Sequence, residues 1–219
     1  MTTLTNDALT TLGTVKDELG ITDASSDETL KRLINAVSRR IRSYCRRTFY
    51  YEVDIVEQFA GYGSTNLLLS RMPVISVDSI TYDSMAVDSD DYSIGDAAAG
   101  ILYRPTGWAW TAKLQRNAAA ADPLPGTEEK LFEVTYTGGW ITPQQAADDA
   151  KLGVPLGWVR SLPEDLEDAC ILAVTSRYGM RGQDITVKSE RSLNYSATYG
   201  DRDLPLPVKE MLAPYRELL

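Results

Sequence analysis

The sequence predicts an α+β protein: a small helical bundle of three main helices, an inserted antiparallel β domain and an extended C-terminal arm. Three observations carry this. Apolar residues recur at helical spacing from Leu30 to Cys45 and again from Leu162 to Val174. Between Val53 and Tyr136 the spacing falls toward two, in short segments rich in β-branched and aromatic residues. That middle region is punctuated by Gly61, Gly63, Pro73, Asp88 to Asp91, Gly95, Gly100 and Gly138-Gly139, the residue types that make tight turns. The resulting division is 1–48 for the first two helices and 49–141 for the β domain. Residues 142–182 form a long connector with the third core helix, and 183–219 form the arm with a short helix.

The elements follow in order. A short helix places Leu12, Val15 and Leu19 on one face and stops at Gly20. Asp27 to Thr48 is a helix of about six turns. Its stripe is Leu30, Leu33, Ile34, Val37, Ile41, Tyr44 and Cys45, and Ser26 or Asp27 is positioned to cap it. The connection between these two helices is short, so they are expected to pack against each other. Strands are expected at Val53–Phe59, Asn66–Leu69, Val74–Tyr82, Tyr92–Ile94, Ile101–Tyr103 and Leu131–Tyr136, forming one small sheet or barrel. Gly107 to Thr127 and Thr142 to Ser161 read as long loops, the second with a short helix at Gln144 to Lys151. The helical period returns from Leu162 to Gly182, with Pro163 in the first helical position and Glu164 and Asp165 in the first turn. Its middle, Ala169 to Val174, is apolar on nearly every side. It therefore needs cover from the first helix pair and, opposite, from the sheet or a neighbouring subunit. Ile185–Val187 and Leu193–Tyr199 read as a strand pair or extended arm, and Pro207–Ala213 as a short helix broken by Pro214.

Charge is distributed unevenly. Asp27 to Thr48 holds seven bases against two acids, a net of +5 in a chain whose total is −9, and Arg32, Arg39, Arg42 and Arg46 lie opposite the apolar stripe. A basic helix in an acidic protein suits a negative partner: nucleic acid, another protein or the next copy of the same chain. Its plain alternative is a solvated face. Residues 49 to 103 contain nine acids and one base, so the β domain is expected to be strongly negative outside.

With 219 residues and 43% hydrophobic content the chain can bury one sizeable core, or a main domain and a smaller one. No apolar run approaches the roughly 20 residues of a membrane span, and the N-terminus lacks a secretory pattern. The expectation is a soluble cytoplasmic protein. Cys45 and Cys170, inside apolar helical patterns, read as reduced, buried hydrophobes. The chain has no histidine, which removes the commonest general base and metal ligand. Asp88, Asp90, Asp91 and Asp96 could supply oxygen ligands to calcium, but their spacing is that of acidic turns rather than an EF-hand loop. Gly61-Tyr62-Gly63 lacks the remainder of a phosphate loop and reads as a hairpin. Glu164, Asp165, Glu167 and Asp168 could form a hydrolytic carboxylate pair, yet a first helical turn attracts acids for electrostatic reasons alone. Four tryptophans could line a sugar or nucleotide site, or anchor loops. The expectation is no catalytic residue, no metal and no cofactor.

The order of elements resembles the head-to-tail connector (adaptor, or head completion) family of tailed bacteriophages. The resemblance rests on TLGTVKDELGI, the basic run RRIRSYCRRTF, LLLSRMPVISVDSITYD followed by DYSI, FEVTYTGGW, and SLPEDLEDACILAVTSRYGMRG. It implies a structural virion protein rather than an enzyme: a ring of copies, twelve-fold in the virion, beneath the portal protein. That ring extends the DNA channel and receives the stopper or tail, in the virion neck after assembly in the host cytoplasm. DNA would pass without specific binding, since an acidic protein lacks the phosphate-neutralising charge that drives DNA affinity. The resemblance further implies that the C-terminal segment docks on the portal, here through Leu204, Val208, Met211, Leu212 and Tyr215. Arg39, Arg42, Arg46, Ile171 and Leu172 are the expected subunit interface, and Trp108, Trp110 and Trp158 the expected tail-side contacts. The competing readings are a monomeric carbohydrate- or peptide-binding module and a histidine-free hydrolase.

Overall fold

A computed structural model of the chain describes residues 2–109, 131–148, 161–181, 189–192, 195–198 and 204–216. It has the expected α+β composition, in two compact units: Met1–Tyr50 with Ile141–Leu219, and Tyr51–Trp140.

In the first unit, α1 (Leu12–Leu19) begins where Thr11 Oγ1 accepts the Thr14 N–H, at 3.2 Å, and ends at Gly20, whose φ of 65° is the left-handed turn expected of a terminating glycine. Helix α2 (Asp27–Cys45) buries Leu30, Ile34, Val37, Ile41 and Cys45 along one side. Leu33 and Tyr44, at the edges of the expected stripe, are half-buried. The helix stops before Thr48 because Arg46 turns left-handed, φ 56°. Ser26 does not cap it. Its hydroxyl shares a 2.8 Å hydrogen bond with Tyr178, and Lys16 instead meets Asp27 at 2.9 Å at the helix start.

Helix α3 (Pro143–Ala147) carries a reciprocal cap between Thr142 and Gln145. Helix α4 (Glu164–Gly179) buries Leu166, Ala169, Cys170, Ala173 and Val174 and packs against α1, α2 and α5 (Leu206–Leu212). Pro163 is its N-cap rather than its first turn. Strands β8 (Ser189–Ser192) and β9 (Tyr195–Thr198) form an antiparallel hairpin. Ile185–Val187, expected to be half of a strand pair, lies outside the described residues. Polar groups inside this unit are matched across long sequence separations: Leu9 N–H donates to Ser38 Oγ at 3.1 Å, Ser38 Oγ lies 3.6 Å from Cys170 Sγ, and Thr10 Oγ1 donates to Glu167 Oε1 at 3.0 Å.

The second unit contains β1 (Glu52–Phe59), β2 (Asn66–Leu68), β3 (Val74–Tyr82), β4 (Met85–Ala86), β5 (Ser93–Asp96), β6 (Ile101–Tyr103) and β7 (Phe132–Gly138). A small antiparallel sheet or barrel was expected, and the strands form two antiparallel sheets, β1-β7-β3-β4 and β2-β6-β5. They share one core, in which Leu67, Leu69 and Leu102 of the smaller sheet's segments meet Val74, Ile80, Phe132, Val134 and Tyr136 of the larger around Trp108. The short β4, without alternation to announce it, was not expected. Gly61-Tyr62-Gly63 is not a hairpin, because β1 and β2 belong to different sheets and the segment crosses between them. The glycine serves a close crossing: a Cβ on Gly61 would stand 1.8 Å from the Ala109 carbonyl oxygen.

Candidate functional site

The buried side of α2 determines which of its arginines reach solvent. Arg39 and Arg46 are exposed, Arg39 with its Nε donating to the Asn35 carbonyl at 3.2 Å in its own helix. Arg42 differs: Nη1 lies 3.3 Å from Asp7 Oδ2, with the arginine 40% and the aspartate 15% exposed, so its charge is answered within the chain. On α4, Leu172 is 41% exposed and Ile171 half-buried, beside a row of fully buried neighbours. Arg39 and Arg46 are thus exposed cations and Leu172 an exposed aliphatic group.

Three expected docking residues stand elsewhere. Leu204, Val208 and Leu212 are fully buried in the helical unit, where α5 packs on α4; Met211 and Tyr215 are half-buried and Leu206 is 69% exposed. This corrects the expectation of a free docking face. The all-round apolar α4 needed cover, and the chain's own C-terminal helix provides it where the sheet or a neighbouring subunit had been expected. Trp108 is corrected in the same way. It is fully buried in the β core, edge-on to Phe132 with centroids 5.3 Å apart, and pinned by Trp108 N–H to Ser64 O and Gly63 N–H to Trp108 O, each 2.8 Å. Trp110 and Trp158 lie outside the described residues.

The acidic side chains act locally. Asp88 Oδ1 accepts the Asp90 N–H at 3.1 Å, Asp96 Oδ1 accepts the Ala99 N–H at 3.0 Å, and Asp91 pairs with Arg104 at 3.3 Å. Among the described residues, no group of three or more His, Cys, Asp or Glu is arranged to hold a metal ion. Glu164, Asp165 and Asp168 are exposed at the start of α4, while Glu167 is buried. Burial pushes the thiols up, Cys45 to about 11 and Cys170 to about 12, which leaves them protonated and poorly nucleophilic. In the β unit, Tyr136 OH donates to Glu57 Oε1 at 2.8 Å and accepts from Arg71 N–H at 3.0 Å; burial and then the Glu57 contact raise its pKa. Glu57 also accepts from Ser70, N–H to Oε2 at 3.1 Å, which ties the end of β1 to the segment after β2.

Sequence reading missed a cleft of about 430 Å³ between the end of β1 and β2, lined by Gln58, Phe59, Tyr62, Ser64, Asn66 and Leu68, with Trp108 beneath. No motif marks it, because it arises from two sheets failing to join. Among the described residues, no helix is long and apolar enough to cross a membrane.

The chain is thus an α+β protein of two compact units. The same fold occurs in the necks of gene transfer agent particles. The neck of an empty particle, computed with C6 symmetry, contains a chain matching at a TM-score of 0.55 and 13% identity, over 99% of this chain and 94% of that one. A chain in the neck of the native particle, computed with C12 symmetry, matches at 0.52 and 14% identity, over 100% and 94%. At such identities the likeness is one of fold. A search of curated protein sequences gave no match. The model of the head completion protein family matches residues 8–218, and the chain belongs to that family, whose members are structural components of the phage virion at the head-to-tail connection.

Proposed function

We propose that this chain is an adaptor subunit: copies form a ring beneath the portal, continue the DNA channel and receive the stopper or tail, with no catalytic step of their own. The family match over residues 8–218 is the observation that carries this reading. Charge complementarity supports it. Arg39 and Arg46 of α2 are exposed in a chain of net charge −9, so they suit an acidic surface of the adjacent copy, with Ile171 and Leu172 adding apolar area. Arg42 contributes by holding Asp7 rather than by reaching outward. The acidic surplus suits a channel that DNA traverses without the counterion-release affinity of a basic lining.

The portal contact is proposed for the half-buried and exposed groups of the tail, Met211, Tyr215 and Leu206, since Leu204, Val208 and Leu212 are occupied within the subunit. Particles made without the chain should have DNA-filled heads that leak or lack tails, and purified protein should restore tail joining. Particles that acquire tails normally without it would overturn the assignment. The double variant Arg39→Glu, Arg46→Glu should fold with an unchanged melting temperature yet assemble poorly, and this defect should depend on salt. Normal assembly of that variant at low salt would show that the arginine face is only solvated surface.

A further inference from the structure

We infer that the cleft between β1 and β2 is a strand-binding site, and that its occupant is β9 of a second copy of this chain. The inference rests on the ring reading above and names a contact within it.

Three observations converge on the cleft. First, β1 is the edge of the larger sheet and β2 the edge of the smaller, and the two do not pair. They are tied by the Ser70 to Glu57 hydrogen bonds, and beside that tie Gln58 and Phe59 line the cleft together with Asn66, Leu67 and Leu68. Unpaired edges take extended backbone, and closing such a gap removes an edge liability. Second, the buried indole Nε1–H of Trp108, under this cleft, has no hydrogen-bond acceptor among the described residues. A buried indole N–H ordinarily finds one, and a carbonyl arriving with an added strand is of the right chemistry. Third, the lining contains amides, hydroxyls, aromatic rings and leucines, with no charged residue. Tyr62 and Leu68 are 48% and 57% exposed at its mouth, a large apolar surface for a chain to leave in water. A neutral extended peptide with a bulky side chain matches this lining better than an ion or a charged segment.

The chain contains such a peptide. Strands β8 and β9 form a sheet of two strands only, so the outer edge of β9 pairs with no other described strand. A two-stranded hairpin is marginal in water and gains stability from a third strand. Of its two strands, β8 carries Glu190 and Arg191, whereas β9, Tyr195-Ser196-Ala197-Thr198, is uncharged and includes one aromatic residue. Among the described residues, neither the outer edge of β9 nor the facing edges of β1 and β2 pair with a further strand, and pairing between copies satisfies both. Because the hairpin of one copy would enter the cleft of the next, the contact is head-to-tail, the kind that closes into rings.

The test places a photo-crosslinking phenylalanine analogue at the exposed Leu68 of the full chain. Equal amounts of nitrogen-15-labelled and unlabelled protein are mixed at high concentration, irradiated and analysed by mass spectrometry. The expected product joins position 68 to the peptide containing residues 195–198, about half of it in mixed-isotope pairs. The variant Ser196→Pro, which removes an N–H on the side of β9 facing away from β8, should reduce this product at least tenfold while thermal unfolding is unchanged. Crosslinks only within one chain, crosslinks to another segment, or a protein that remains monomeric at every concentration would each overturn the proposal. None of these would overturn the neck assignment, which is decided separately by whether tailless heads are rescued.

Discussion

The two units solve the same problem, covering apolar surface, from opposite ends of the contact-distance scale. The β unit is one continuous stretch, Tyr51–Trp140, and β7 completes its larger sheet by pairing with both β1 and β3. The helical unit is made from both ends of the chain. Helix α4 lies against α1 and α2 from the N-terminal part and α5 from the C-terminal part, and Thr10 reaches Glu167 across 157 positions. An insertion of continuous chain can hold its own core, whereas a core assembled from distant segments depends on all of them. Damage at the C-terminus should therefore be felt in the helical unit and not in the β unit.

Deleting residues 204–219 gives the sharpest contrast and the largest effect. It removes Leu204, Val208 and Leu212, all fully buried, where truncation of even one large aliphatic side chain in a core costs about 2–5 kcal/mol. Amide exchange should show α2 and α4 losing protection while β3 and β7 keep theirs. Equal loss in both units would mean that they fold as one body.

The reciprocal change is Trp108→Ala. It empties the centre of the β core at a cost of about 3–5 kcal/mol, read as faster exchange across β7 with α2 unaffected. A comparable fall in α2 protection would erase the distinction between the units.

The smallest effect is titratable and separates the units by pH. In the helical unit the folded pKa of Cys170 is pushed to about 12 from an ordinary 9.0, and in the β unit that of Tyr136 is raised from 10.0. Both groups are neutral when protonated, and the fold favours that form. Their contribution is fully present below the unfolded pKa and is lost as pH rises through the folded value. The Cys170 contribution should thus be constant below about pH 9 and the Tyr136 contribution constant below about pH 10, each declining above its threshold. Tyr136→Phe should remove the hydrogen bond to Glu57 at a cost of about 1–2 kcal/mol near neutral pH and lessen the alkaline decline of the β unit, leaving that of the helical unit unchanged. An unchanged alkaline profile in that variant would assign the decline to other groups.

Periodicity carried much of this architecture. The helix starting at Asp27, the stop at Gly20, the strand Val74–Tyr82, the strand Ile101–Tyr103 and the helix through Ala169 to Val174 were legible because each is a local pattern of spacing and punctuation. The arginines opposite the apolar stripe were legible for the same reason, since burial of one helix side fixes the direction of the other. Long-range partners were not. Nothing local to Gly61 says that β1 and β2 will part into two sheets, or that Ala109 will pass close enough to exclude a side chain. Nothing local to Trp108 tells a core residue from a contact residue, because an indole has the same composition in either place. Leu204, Val208 and Leu212 show an amphipathic segment that must be covered, but which surface covers it depends on where α4 is left bare. The sequence by itself determined most of the elements, their order and the side the main helices turn inward, since these follow from spacing within a few residues. Tertiary structure alone decided what each buried side meets, because that depends on contacts between segments far apart in the chain, which no local pattern encodes.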